Sequence, residues 1–298
     1  MNPTRRHLLA GAIFTAGLAA TARRSGAVII HDSTWQAEGG RPGRESDGFR
    51  AHIALANQPQ FAGVIPMSHT GDDEWSAGSG TWLGNFDDAG YVLSAAHVWD
   101  RGGSASDFDY RTPDGAVLAA THVKFHPLYD WSDNRSGYDF ALVKLEEPVS
   151  GAGAPPLLYA GDREMGARIV MVGYGARGIG SLGQKARFRK AEGKAAAENT
   201  IDEVMAAVRP VPGAEDAGNW LRCTFLRESE GGGRLDGLLG SGDSGGPTWL
   251  RSAGQWAIAG VNGSGTGNAS YGESSYFARV SGVRDWLAGL LPGLRFTR

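Results

Sequence analysis

The sequence predicts an all-β fold of antiparallel strands with one helix near its end. Three observations carry that expectation. Glycine is abundant, at 46 of 298 residues, with no collagen period; so many turn-permissive positions suit short strands joined by turns. Short apolar runs recur along the chain between Gly, Asp, Asn and Pro clusters, a spacing that suggests barrels or sandwiches. A content of 41% hydrophobic and 20% charged residues belongs to a globular chain rather than a disordered one.

Taken in order, residues 1–22 read as an address. Arg5 and Arg6 precede an apolar stretch at 8–20, too short to span a bilayer comfortably, and Ala20-Thr21-Ala22 offers a small-residue cleavage pattern. Paired arginines before such a stretch resemble a twin-arginine export signal, which implies a periplasmic or extracellular destination. Strand-like runs follow at 28–30, 80–83, 91–94, 116–122, 140–145, 168–172, 220–226, 256–261 and 276–280. Residues 146–158, rich in Gly, Pro and Ala, read as a link between a first half at 28–145 and a second at 159–298. Residues 195–208 are helix-permissive. The stronger helix lies near the end: Ser281 as cap, Val283, Trp286, Leu287 and Leu290 on one face, and Pro292 as stop.

The formal charge of −3 is close to neutral and leaves no nucleic-acid footprint. The one cysteine, Cys223, has no partner for an internal disulfide and reads as a small buried apolar residue. His31, His52, His69 and His122 lack metal-ligand spacing, and His126 before Pro127 reads as structural. No metal or cofactor is expected. The expected partner is a protein or peptide substrate, with no membrane contact once the leader is removed, and the protein is expected to be a monomer.

Three segments carry chemistry: Leu93-Ser94-Ala95-Ala96-His97, the run from Tyr138-Asp139 to Leu145, and Gly242-Asp243-Ser244-Gly245-Gly246-Pro247. A neutral imidazole can take a proton from a serine hydroxyl and return it to a leaving amine. A buried carboxylate fixes the imidazole tautomer and stabilises the imidazolium. The N–H groups of Gly242 and Ser244 are the candidate donors to a tetrahedral oxyanion. Gly242-x-Ser244-x-Gly246 also fits a nucleophile elbow, whose histidine must follow the serine. All seven histidines, at 7, 31, 52, 69, 97, 122 and 126, precede Ser244, so the elbow is excluded. No aspartate stands before the histidine in a subtilisin context. The order His97, Asp139, Ser244 is that of the chymotrypsin type.

On these segments the chain resembles the chymotrypsin/trypsin-like serine peptidases. Supporting segments are Thr81-Trp82-Leu83-Gly84, Val123 to Tyr129, Val172-Gly173-Tyr174-Gly175, Tyr276 to Val280 and Trp286-Leu287. The likeness covers about 80–298. It implies two packed antiparallel six-stranded β-barrels, with His97 and Asp139 from the first, Ser244 from the second and the substrate in the cleft. The implied activity is endopeptidase cleavage through an acyl-enzyme. The alternatives are a protease-like binding protein without turnover and an esterase on the same triad.

The sequence departs from the family at three places. Trypsin carries an aspartate six residues before its nucleophile; here that position is Leu238, and the facing pocket wall maps to Gly263, Ser264 and Gly265. An apolar or small P1 residue is therefore expected. The family buries a new Ile or Val terminus against the carboxylate before the nucleophile, here Asp243. No Arg-Ile-Val-Gly-Gly junction exists, and the nearest candidate is Val28-Ile29-Ile30. Either processing near Val28 supplies that terminus or another group satisfies Asp243, the absent junction favouring the second. Disulfides are absent, and 195–219 and 227–237 have no counterpart.

Overall fold

A computed structural model describes residues 28–132, 137–188, 193–206 and 219–297. The leader-like segment 1–22 lies outside them. Strand β1 (Ile29–Ile30) comes first and α1 (Asp32–Ala37) and α2 (Arg50–Ala56) follow it. Six strands then close a barrel: β2 (Val64–His69), β3 (Gly78–Phe86), β4 (Ala89–Ser94), β5 (Phe108–Arg111), β6 (Val117–Phe125) and β7 (Ala141–Leu145). Their order round the barrel is β2-β3-β4-β7-β6-β5, and all pairings are antiparallel. Ile65, Met67, Trp82, Val92, Phe108, Tyr110, Val143 and Leu145 fill its interior. Removing such side chains from water is the main favourable term in closing the sheet.

The second half is a curled sheet. Its strands are β8 (Leu157–Leu158), β9 (Arg168–Gly173), β12 (Ala195–Thr200), β13 (Glu203–Met205), β14 (Trp220–Thr224), β16 (Pro247–Ser252), β17 (Gln255–Gly265), β18 (Ser274–Arg279) and β19 (Arg295–Phe296). The main path runs β12-β9-β16-β17-β18-β14-β13. β12 and β13 lie at opposite ends of that path, yet only Ile201 and Asp202 separate them in sequence. Two residues span so little distance that the sheet must roll until its ends meet. The expected architecture of two packed six-stranded barrels is met by a closed first barrel and a curled second half. That second half is a half-barrel whose ends are joined by a covalent link rather than by a ladder among the described residues.

A small sheet completes the second half: β10 (Gly178–Ile179), β11 (Gly183–Gln184) and β15 (Gly237–Leu238) around β1. Ile29 pairs with Gly178 in parallel and with Leu238 antiparallel. The first described strand is therefore inserted into the second half, with Val28, Ile29 and Ile30 wholly buried.

Two sequence expectations are overturned. The helix-permissive stretch from 195 is strand β12 and then β13. Ala195, Ala196 and Ala197 are buried there, and their small side chains let α2 lie close, with the ring of His52 held to the Ala196 carbonyl at 2.7 Å through Nδ1. Packing has outweighed alanine's helix preference. Residues 207 and 208 of that stretch lie outside the described residues. The terminal helix is present as α3 (Arg284–Leu290), after a 3-10 turn at Val280–Val283. Ser281 does not cap it: its hydroxyl donates to Glu164 Oε1 at 3.1 Å.

Candidate active site

His97 sits in the 3-10 turn Ala96–Val98, which ends β4. Asp139 stands two residues before β7, the strand that pairs with β4. The register Ser94↔Ala141 brings the two together although 42 residues separate them. Asp139 holds the histidine twice: the His97 N–H donates to Oδ1 at 2.9 Å, and Nδ1 lies 2.6 Å from Oδ2. The Asp139 carboxylate is 1% exposed and the imidazole 26%. Nε2 then lies 2.8 Å from Ser244 Oγ, across the boundary between the two halves. With Nδ1 bound to a carboxylate, the proton of a neutral ring belongs on Nδ1, and Nε2 is left to accept from the hydroxyl. Burial works against the charged imidazole, but the charge of Asp139 and its hydrogen bond outweigh it, and the pKa of His97 is raised above 6.5.

Ser244 stands in a tight turn. Asp243 N–H donates to the Gly240 carbonyl and Gly246 N–H to the Asp243 carbonyl. Gly242 and Gly245 adopt left-handed backbone, at φ 96° and 83°. Neither place admits a side chain. A Cβ on Gly242 would meet the Ser76 carbonyl, and one on Gly245 would collide with Ser94 Oγ and the Ser79 carbonyl. The N–H groups of Gly242 and Ser244, the two sequence-predicted oxyanion donors, meet no protein acceptor among the described residues.

Asp243 is wholly buried. Its carboxylate accepts from Gly175 N–H at 2.7 Å, Gly240 N–H at 2.7 Å and Val28 N–H at 3.3 Å. Burial still pushes its pKa up to about 6, against those three bonds and the charge of Arg177. Arg177 is itself buried; it donates to the Gly193 carbonyl at 3.2 Å and lies over the Phe49 ring. Val28 has φ 62°, a region that a β-branched residue almost never occupies.

Of the sequence-predicted pocket residues, Leu238 stands two positions before Gly240, and Gly263 follows Asn262, which exchanges backbone bonds with Gly245 and Gly246. Leu238 has no exposed surface; it pairs with Ile29 and belongs to the core of the second half. Gly263, Ser264 and Gly265 end β17. A bulge between Asn262 and Ser264 leaves Gly263 out of the ladder with β18. A Cβ on Gly263 would meet the ring of Trp220.

Sequence reasoning missed two contributors here. Ser275, wholly buried on β18, pairs with Gly265 and accepts the Leu239 N–H on its hydroxyl at 3.1 Å. Asn262, also buried, donates its amide to the carbonyls of Val172 and Asp243 at 3.1 Å each, while its backbone exchanges bonds with Gly245 and Gly246. Neither lies in a catalytic motif, so only the fold reveals their part in the site. Of the histidines set aside, His126 stacks on Tyr138 and accepts the Leu128 N–H, and burial lowers its pKa to about 4. No cluster of three metal-ligating side chains occurs among the described residues. Cys223 is buried, and burial raises the pKa of its thiol.

A family model described as Trypsin matches residues 84–287. The match takes in His97, Asp139 and Ser244 and covers more than half of the chain. The chain therefore belongs to the trypsin family of chymotrypsin-like serine peptidases.

Proposed function

We propose that the protein is a serine endopeptidase in which Ser244 attacks the scissile carbonyl, His97 moves the proton and Asp139 orients and charges the ring. The observation that carries this reading is the unbroken chain Asp139–His97–Ser244, with 2.6 Å and 2.8 Å links. His97 takes the Ser244 proton as Oγ bonds to the carbonyl carbon. The carbonyl oxygen becomes an oxyanion beside the Gly242 and Ser244 N–H groups. The imidazolium returns its proton to the leaving amine as the C–N bond breaks, and water then releases the acyl group by the same steps. Losing one oxyanion donor costs about 3 kcal/mol of transition-state stabilisation in such sites.

The β17 terminus can pair with an extended peptide, which supplies main-chain affinity. Leu238, at the position where trypsin carries its pocket aspartate, is an uncharged side chain wholly buried in the core, which supports a small or apolar P1 residue over Lys or Arg. An unpaired Asp243 would misplace the oxyanion donors and favour the binding-protein alternative; the three N–H donors on that carboxylate favour turnover. Export by the twin-arginine route, supported by Arg5, Arg6 and the apolar stretch after them, would deliver the protein to the periplasm or beyond.

Labelling with a fluorophosphonate tests the mechanism. Wild type should be modified at Ser244, and Ser244→Ala should lose both labelling and peptide cleavage, by about 10⁶-fold in kcat. A folded wild type that resists the reagent refutes the reading. In a panel of peptides differing at P1, Ala and Leu should exceed Arg. Turnover of the matching esters but not the amides would favour the esterase.

A further inference from the structure

Ser79 belongs to β3 of the first barrel and has no exposed surface. Its polar groups are directed largely out of that barrel. Its N–H donates to the Ser244 carbonyl at 2.8 Å. Its hydroxyl donates to the Gly242 carbonyl at 3.1 Å and accepts the Tyr174 N–H at 3.1 Å. Its own carbonyl accepts the Ser94 hydroxyl at 2.9 Å. One buried residue thus grips the carbonyls of both residues whose N–H groups face the candidate oxyanion.

The Gly242 carbonyl shares a rigid peptide plane with the Asp243 N–H, and the Gly242 N–H, in the preceding plane, turns against it only through the φ and ψ of Gly242. Holding that carbonyl anchors one side of the pivot from which the Gly242 N–H is aimed. Ser244 is also fixed through its side chain on His97. Gly242 has no side chain, and glycine has the widest backbone freedom of any residue. Its carbonyl is held by the Ser79 hydroxyl, and that hydroxyl is aimed in turn by the Tyr174 N–H.

We propose that Ser79 is a positioning residue, whose hydroxyl holds Gly242 so that the N–H of Gly242 stays aimed at the oxyanion formed beside Ser244. The inference rests on the endopeptidase reading above. Oxyanion donors act only as charge develops, so loss of the grip lowers kcat and leaves substrate binding alone.

Ser79→Ala keeps the backbone bond to Ser244 and removes the hydroxyl. Its kcat on a peptide amide should fall at least tenfold with KM within twofold. Affinity for a peptide boronate, which forms a tetrahedral anion on the serine, should fall by a similar factor. Affinity for the cleaved product peptide should stay within twofold, a split that a purely structural role would not produce. A folded Ser79→Ala protein with wild-type kcat and boronate affinity overturns the inference, whatever its melting temperature. If that variant is not recovered folded, Ser79→Gly removes the same hydroxyl and is judged by the same criteria. A wild type that neither cleaves peptides nor takes a fluorophosphonate overturns the enzymatic reading and this inference together. An active wild type beside an unaffected variant overturns the role of Ser79 alone.

Discussion

His97 is held in opposite senses by its surroundings. Burial favours the neutral ring, while Asp139 favours the charged one and prevails. A base must be neutral to accept a proton, so kcat/KM should rise with pH along a limb centred above the ordinary imidazole value of about 6.5. Asp139→Asn removes the raising charge. The limb should then move to lower pH, and kcat should fall about 10⁴-fold as the ring loses its orienting partner. A pH profile of both proteins checks this, and a wild-type limb below 6.5 contradicts it. At this scale the sequence was informative where chemistry sits in a continuous run. The hexapeptide around Ser244 announces itself because every position in the turn is constrained, as the collisions at Gly242 and Gly245 show. Ser79, Asn262 and Ser275 were illegible because they act on that turn from strands remote in sequence.

Among the elements, α3 and the 3-10 turn before it are tied to the loop that enters β9. Arg279 reaches Glu164 through Nε at 2.7 Å and Nη2 at 2.9 Å, and Ser281 adds a third bond. Glu164 has no exposed surface and Arg279 is buried. Removing one partner of such a pair leaves an uncompensated buried charge and costs about 3–5 kcal/mol. Glu164→Ala should lower unfolding stability by that amount in urea titrations, and the protein that remains folded should keep its kcat. An effect under about 1 kcal/mol would show the pair to be dispensable. The strands were readable wherever apolar runs met turn clusters, as at β4, β7, β9 and β18. α1 and α2 were not, because both are short and neither carries a side-chain N-cap bond. β12 was misjudged because alanine is helix-permissive by itself, and only its burial between α2 and β9 selects the extended form.

Across the whole molecule, the first described residues and the nucleophile turn meet at Asp243. The carboxylate titrates near 6 when folded and near 3.8 in its ordinary state. Between those values the folded form retains a proton that the unfolded chain releases. Stability therefore falls as pH rises through that window, by up to about 3 kcal/mol near neutrality. A chain beginning at Val28 would offer an ammonium where the structure has an N–H at 3.3 Å, and would relieve the left-handed strain at that residue. Cleavage before Val28 should thus raise the melting temperature near pH 7 by about 2–4 °C for each kcal/mol regained. The gain should vanish below about pH 4, where Asp243 is protonated. Thermal unfolding of the two forms across pH measures it; equal melting at pH 7 would leave Gly175, Gly240 and Arg177 as the sufficient partners of Asp243.

By itself the sequence determined the β class, the family and the candidate triad, because strand periodicity, turn chemistry and the serine hexapeptide are local and their order along the chain excludes the rival arrangements. Only the tertiary structure decided that the second sheet curls with no closing ladder among the described residues, that Val28 reaches Asp243 from 215 residues away, and that Ser79 grips the donor turn. Those outcomes depend on which buried polar groups find one another when separate strands pack, and satisfying such groups is a condition on the whole fold that no stretch of residues states alone.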